Sequence, residues 1–338
     1  MKPFATLRAP TIAAAAAATS TTMAEAMTRA GPAHGVALLR AGGIDVLGLL
    51  KEELVAPAML VSVIDIPGLD AIREDADGLH IGAAATLAGI AAHPLVRERY
   101  PALASAIGHS ASPQIRNVAT LGGNLLQRPR CWYFRSAAYR CLRKGGGHCF
   151  ALNGENQYHA IFDNHPCAIV HPSTAATVLV ALGAFVDLVD AHGTSRRVRL
   201  ENFLVGPAID LQRENDLQPH EILTAIVLPT PPSGARMAHL RQGERDSMDW
   251  PLADVAVLIE MDTARTCTRA AIILGAAAPV PHRARAAEAA LRGRVIDDDA
   301  AREAAHAALA GATPLAKNVY KLKLFETLIR RAILTAVA

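Results

Sequence analysis

Between residues 128 and 171 the chain shows no hydrophobic period of either a helix or a strand, yet this stretch carries four of its five cysteines. They are spaced Cys131-x9-Cys141-x7-Cys149-x17-Cys167, and Cys267 stands alone. Five cysteines in 338 residues are not a disulfide framework. A structural zinc site normally contains at least one tight Cys-x2–4-Cys pair, and none is present. Wide spacings suit a larger object held from one long loop. A [4Fe–4S] cluster, which needs four thiolates, is such an object. On spacing alone, four unrelated buried thiols remain the alternative.

The charge pattern of this stretch is one-sided. No acidic residue occurs between Glu98 and Glu155, while Arg116, Arg128, Arg130, Arg135, Arg140, Arg143 and Lys144 do. Cations beside thiolates lower their pKa and stabilise an anionic cluster. They would equally attract a pyrophosphate or form a solvated basic face. Trp132, Tyr133, Phe134 and Tyr139 interleave with the arginines, which is also a pattern for stacking nucleic-acid bases. The rest of the chain offers no basic stripe to extend such a footprint, and a net charge of +3 does not argue for one. The expected partners therefore exclude nucleic acid.

With 51% hydrophobic and 19% charged residues the chain can bury a core, and its length fits about two domains. The longest apolar runs, 12–18 and 175–189, are shorter than the ~20 residues of a spanning helix. No secretory signal is expected at the N-terminus. Strands are expected at 2–9, 39–46 (running into a glycine turn), 59–66, 79–84 and 184–189. Helices are expected at 22–39, 87–93, 97–108 and 174–183. The densest proline cluster, Pro229-Thr230-Pro231-Pro232, marks a boundary. Beyond it strands at 253–261 and 268–274 and helices at 284–292, 298–310 and 315–336 predict a second, α+β unit.

Two glycine pairs sit in similar settings: Ala41-Gly42-Gly43-Ile44-Asp45 and Ala119-Thr120-Leu121-Gly122-Gly123-Asn124-Leu125. Glycine lets backbone N–H groups approach a phosphate closely. Asp45, Thr120 and Asn124 offer side-chain hydrogen bonds to a ribityl chain or ribose. Neither turn is a Walker or G-x-G-x-x-G motif, and most glycine pairs are ordinary turns. Together with Gln114-Ile115-Arg116-Asn117 they would fit a dinucleotide held in extended form by two loops.

The combination of Arg40-Ala-Gly-Gly-Ile-Asp45, the block from Gln114 through Gly122-Gly123-Asn124 to Cys131, and Cys167-Ala-Ile-Val-His-Pro-Ser173 resembles the FAD-binding subunits of the xanthine dehydrogenase (molybdenum hydroxylase) family. The nearest branch is that of bacterial periplasmic aldehyde oxidoreductase, whose flavin subunit carries an extra [4Fe–4S] cluster. The resemblance runs nearly end to end, through 241–247 and Gly311-Ala-Thr-Pro314 to the last helix. It implies an α+β fold: a two-subdomain vanillyl-alcohol-oxidase/PCMH-type FAD-binding domain, then a carbon monoxide dehydrogenase flavoprotein-like C-terminal domain. The implied domains are 1–232, with subdomains about 1–57 and 58–232 and the cluster loop at 128–171, and 233–338.

The same resemblance implies the site. Leu39, Arg40, Ala41, Gly42, Gly43, Ile44, Asp45, Val46 and Leu47 would hold one side of the FAD pyrophosphate. Gln114, Asn117, Thr120, Gly122, Gly123, Asn124 and Leu125 would hold the other side and the ribityl chain. Cys131, Cys141, Cys149 and Cys167 fall on the four cluster ligands of that branch, and Cys267 is expected as a buried strand cysteine. Thr174 replaces an aspartate that contacts flavin in relatives, Ile44 replaces a hydroxyl residue, and Arg241 replaces a lysine near the isoalloxazine, with His239 two residues before it.

No triad, H-E-x-x-H or paired-carboxylate motif appears, so no catalytic residue is assigned to this chain. The implied partners are a small subunit with two [2Fe–2S] clusters and a large molybdenum-cofactor subunit, with the terminal electron acceptor unassigned. The whole complex would oxidise aldehydes. A purine or N-heterocycle dehydrogenase, and a self-contained FAD oxidoreductase, are the alternatives within redox chemistry. A colourless zinc-stabilised nucleic-acid-binding module is the alternative outside it. Thiolate clusters need reducing assembly, which fits folding in the cytoplasm. Export with a partner that carries a twin-arginine signal stays open.

Overall fold

A computed structural model describes residues 1–19, 21–28, 35–245 and 248–338. The chain divides into two compact units. The first comprises Met1–Gly89, Pro113–Phe150 and Ala184–Leu228; the second comprises Ile90–Ser112, Ala151–Gly183 and Pro229–Ala338.

The first unit contains two sheets. One is a parallel sheet of three short strands in the order Ala5–Arg8, Met59–Ser62, Ala37–Arg40. Its central strand is paired on both sides, Val61 lying opposite Leu7 and Leu39, and Leu60 and Val61 are buried. Parallel neighbours need crossover connections. The helices Ile12–Ala18 and Met23–Thr28 lie in the first crossover, and Ile44–Lys51 lies in the second. The last of these buries Val46, Leu49 and Leu50 against Leu38 and Leu60. Each such side chain contributes about 1.5–3 kcal/mol of burial, enough to hold a helix too short to stand alone.

The other sheet is antiparallel, in the order Ile72–Asp75, Gly78–Gly82, Glu221–Leu228, Phe185–Asp190, Ser195–Arg199. The strand made last therefore lies in its centre.

The second unit is built on a four-stranded antiparallel sheet, in the order His282–Arg283, Cys267–Gly275, Ala253–Met261, Arg236–Gln242. The helices Arg285–Leu291, Asp298–Ala308 and Tyr320–Val337 share a core with it. Asp297 caps the middle helix through the Ala300 N–H at 2.8 Å, and that helix buries only alanines, which lets it approach closely. The helix Thr174–Ala181 is buried along its whole length.

Several sequence expectations are corrected. The helix expected at 22–39 is helical only over Met23–Thr28; residues 29–34 lie outside the described residues, and Ala37–Arg40 is a strand. Pairing with Met59–Ser62 overrides the local helical pattern there. The strand expected at 39–46 ends at Arg40, because Gly43 takes φ +82° and opens a helix at Ile44. The helix expected at 97–108 is two helices, Pro94–Arg99 and Pro101–Gly108, each with proline in its first turn. The closing helix starts at Tyr320 rather than 315. Strands Glu221–Leu228 and Arg236–Gln242 were not foreseen: neither alternates cleanly, since one runs nearly continuously apolar and the other carries Arg236, His239 and Arg241.

Candidate functional site

The first glycine pair joins the strand Ala37–Arg40 to the helix Ile44–Lys51. Gly43 is the residue before the helix and makes no side-chain cap. Leu47 is the first helical residue whose N–H finds an acceptor, the Gly43 carbonyl at 2.9 Å. The N–H groups of Gly43, Ile44, Asp45 and Val46 have none among the described residues. Consecutive unsatisfied donors at the positive end of a helix suit an anion.

The segment that leads into the second glycine pair packs against the first pair. A Cβ on Gly42 would lie 2.0 Å from the Val118 carbonyl oxygen and 3.2 Å from Ala119 Cα, so only glycine permits the contact. Gly122 performs the same service against Ala83, where an added Cβ would meet Cβ and O at 2.9 Å. The Gly122 N–H donates to Ala83 O at 2.9 Å and Leu121 N–H to Ala85 O at 3.0 Å. Thr120 caps the five-residue helix Leu121–Leu125 by accepting the Gly123 N–H at 3.2 Å. These bonds mean that the N–H groups of Leu121, Gly122 and Gly123 hold the turn itself. What faces outward is Gly123, Gln114 and Asn117, which are exposed, and Asn124, which is half-buried. Leu39, Arg40, Ala41 and Leu47 border the first turn, and Leu125 is buried beneath the second.

Asp45 turns toward the cysteine loop. Its carboxylate accepts the Arg128 N–H at 2.9 Å, the Arg130 guanidinium at 3.0 Å and the Arg135 guanidinium at 2.7 Å. Burial pulls Arg130 down to about 10, against the attraction of Asp45. Deeper in, Glu214 pairs with both Arg128 and Arg143 at 2.8 Å, and both guanidinium groups are fully buried. Arg128, Arg130, Arg135 and Arg143 of the acid-free run 99–154 thus find their counter-charges on Asp45 and Glu214, while Arg140 is exposed.

Cys131 precedes the one-turn helix Trp132–Arg135, and the N–H groups of Phe134 and Tyr133 donate to its sulfur. Burial pushes its thiol up to about 11; those N–H groups oppose the rise, and negative charge on Cys149 and Cys141 adds to it. Burial lowers the Lys144 ammonium, while Cys141 and Cys131 favour its charge. Three thiols and a lysine therefore share one neighbourhood. It lies on the same hydrophobic cluster that carries Val46, next to the first glycine turn. The Cys131 thiol stays protonated at neutral pH unless a metal holds it as a thiolate. The loop is wound tightly: a Cβ on Gly146 would lie 1.7 Å from Arg140 O.

The loop aromatics are used internally. Tyr133 stacks on Phe150 with ring centroids 5.8 Å apart, and Tyr139 meets both rings edge-on.

Cys167, Thr174 and Arg241 belong to the second unit. Cys167 is buried after a cis His165–Pro166 bond. Thr174 opens the buried helix behind its cap Ser173, whose hydroxyl accepts the Ala176 N–H at 3.0 Å. Arg241 donates to His109 O at 2.6 Å and to Asp249 O at 2.8 Å, so its guanidinium staples two loops. The matching segment 241–247 includes Asp246 and Ser247, which lie outside the described residues. His239 pairs with Asp254, which also accepts the Thr177 hydroxyl at 2.9 Å; Gly275 leaves room for that pair. Cys267 is a buried strand residue, as expected.

Glu214, Asp254 and the loop-binding role of Asp45 were missed by sequence reasoning. The usable signal was the acid-free run itself: its buried cations require carboxylates from elsewhere in the chain.

A strand, a glycine turn and an uncapped helix start thus present a row of backbone donors suited to an anion. The family described as "FAD binding domain in molybdopterin dehydrogenase" matches residues 10–231. The "CO dehydrogenase flavoprotein C-terminal domain" matches residues 238–336. The chain belongs to the FAD-binding subunits of the molybdenum hydroxylase family of oxidoreductases. It is 36% identical over 287 residues to the aldehyde oxidoreductase FAD-binding subunit PaoB of Escherichia coli, covering 84% of this chain and 86% of that one. Among solved structures it resembles carbon monoxide dehydrogenase from Hydrogenophaga pseudoflava (26% identity, TM-score 0.72, 99% and 98% of the two chains). It also resembles quinoline 2-oxidoreductase from Pseudomonas putida 86 (25% identity, TM-score 0.73, 100% and 98%). The fold is thus the expected one of an FAD-binding domain followed by a CO dehydrogenase flavoprotein-type domain. No helix among the described residues is long and apolar enough to cross a membrane.

Proposed function

We propose that this chain is the electron-transfer flavoprotein subunit of a three-subunit molybdenum hydroxylase that oxidises aldehydes to carboxylic acids, and that it carries a [4Fe–4S] cluster beside its FAD. The observation that carries the flavin part is the row of unsatisfied N–H groups from Gly43 to Val46. They would hold the pyrophosphate, with Leu39, Arg40, Ala41, Gly42 and Leu47 bordering it. Gln114, Asn117, Thr120, Gly122, Gly123, Asn124 and Leu125 form the facing turn. Bound FAD accepts electrons singly and passes them on in pairs. The chain's own residues bind and orient it, and the molybdenum chemistry belongs to a partner.

The cluster part is supported by the shared neighbourhood of Cys131, Cys141 and Cys149, with Lys144 and two N–H groups offsetting thiolate charge. Cys167 is the fourth ligand in this reading. The family resemblance adds Thr174 and Arg241 to the flavin residues in this reading and sets the domain division near 232. The aldehyde substrate rests on the 36% identity to PaoB. The small partner would carry two [2Fe–2S] clusters, the large one molybdenum. Assembly takes place under reducing conditions, as in the cytoplasm, and export with a partner is compatible with it.

The test is FAD, iron and acid-labile sulfide per chain after anaerobic purification with the partner subunits. The reading expects one FAD and about four each of iron and sulfide, with iron lost in Cys141→Ser. Zinc in place of iron would overturn the cluster, and absence of flavin would overturn the whole reading. Turnover of xanthine but not of benzaldehyde would replace the aldehyde assignment with the purine one.

A further inference from the structure

We infer that Asp45 is a positioning residue that couples the cysteine loop to the flavin turn, so that occupancy of one site changes the accessibility of the other. The inference rests on the flavin reading above but not on the presence of iron. Asp45 is the second residue of the helix Ile44–Lys51, within the row of unsatisfied N–H groups. Its side chain accepts from Arg128 and Arg130 ahead of Cys131 and from Arg135 behind it. Arg135 closes the clip by donating to Pro129 O at 2.7 Å and Arg128 O at 2.8 Å. One carboxylate thus brackets Cys131 within eight residues of chain, 128 to 135, while its own backbone N–H belongs to the anion cradle.

The wiring has a direction in both senses. A pyrophosphate on the N–H row fixes the start of the helix, and with it the carboxylate that the three arginines grip. A docked loop in turn leaves two guanidinium groups against one carboxylate beside the cradle, a net positive charge that favours an anion. Linkage makes the two effects equal in size. Glu214 anchors the same loop at Arg128 and Arg143 without touching the helix start, so it supplies a comparison.

The experiment uses the full chain freed of flavin and metal under reductant. Iodoacetamide labelling of Cys131, Cys141 and Cys149 is followed by mass spectrometry with and without saturating FAD, and FAD binding is measured separately by fluorescence. In the parent chain FAD should slow labelling of Cys131 about fivefold or more, the low end of ordinary coupling. In Asp45→Asn that protection should vanish at FAD concentrations that still saturate, and Asp45→Glu should restore part of it. In Glu214→Gln labelling should be faster overall but still slowed by FAD. Equal protection in the parent chain and Asp45→Asn would overturn the inference, as would no protection in the parent chain despite bound FAD. Failure of the parent chain to bind FAD would instead strike the flavin reading itself.

Discussion

Replacing Gly42 by alanine tests whether the two glycine turns work as one interlocked cradle. The added Cβ would sit 2.0 Å from Val118 O and 2.8 Å from Val118 C, where ordinary contact begins at 3.4 Å. Both partners are backbone, so no side chain can swing aside. The turns must part by more than an ångström, and overpacking of this kind costs about 1–3 kcal/mol. At 2 kcal/mol the loss in FAD affinity is about 30-fold. The midpoint of thermal unfolding should fall by roughly 4–8 °C. Two neighbours sharpen the test. Gly43→Ala meets only ordinary contacts at 3.4 Å but must hold φ +82°, a cost of about 1–2 kcal/mol. Gly123→Ala adds a methyl on an exposed turn, touching only Thr120 Oγ1 at 3.1 Å. It should lower FAD affinity with little change in melting. Fluorescence titration with FAD and differential scanning calorimetry read the two effects. FAD affinity in Gly42→Ala equal to that of the parent chain would refute the interlocked cradle.

Glu214→Gln leaves the buried guanidinium groups of Arg128 and Arg143 without their carboxylate and should cost about 3–5 kcal/mol in urea unfolding; a loss under about 1 kcal/mol would mean the pair contributes little. Burial lowers His159 and His171 to about 4, so the unfolded chain takes up protons between the ordinary 6.5 and 4 while the folded chain does not. Stability should therefore fall as pH drops through that window, by up to about 1.4 kcal/mol per pH unit for each histidine, and His171→Gln should flatten the slope. Lys321, buried and donating to His159 O and Ala276 O, is lowered to about 7 from 10.5 by that burial. Stability should rise with pH between those values, and Lys321→Met should remove that rise in pH-resolved melting curves.

Much of this architecture could be read from residues. The helices with clean periodicity and the two central strands of the C-terminal sheet, Ala253–Met261 and Cys267–Gly275, lie close to their expected bounds. The glycine turns were located from sequence, but their division of labour was not. Gly42 and Gly122 make room for backbone, Gly43 takes a left-handed conformation, and Gly123 leaves its face open. Those roles depend on Val118 and Ala83, which no local pattern connects to them. The sequence offers Asp45 as a hydrogen-bonding partner for a ribityl chain or a ribose, and the structure turns its side chain to the arginines; only the pairing of distant segments decides which way it turns. Strand Glu221–Leu228 was missed because a continuous apolar run has no period, and its central place follows from partners 31 or more residues upstream.

The order in which the loop and its anchors leave the ribosome has a consequence of its own. Asp45 precedes the cysteines in translation, but Glu214 and the central strand Glu221–Leu228 follow them. Glu214 emerges roughly 70 residues after Arg143, a delay on the order of ten seconds at about 5–20 residues per second. During that interval Arg128 and Arg143 have no buried partner, and the loop is clipped at one end only. The nascent thiols are then open to oxidants. Synthesis under oxidising conditions should trap non-native disulfides in this window, and a pause placed before Glu214 should widen it.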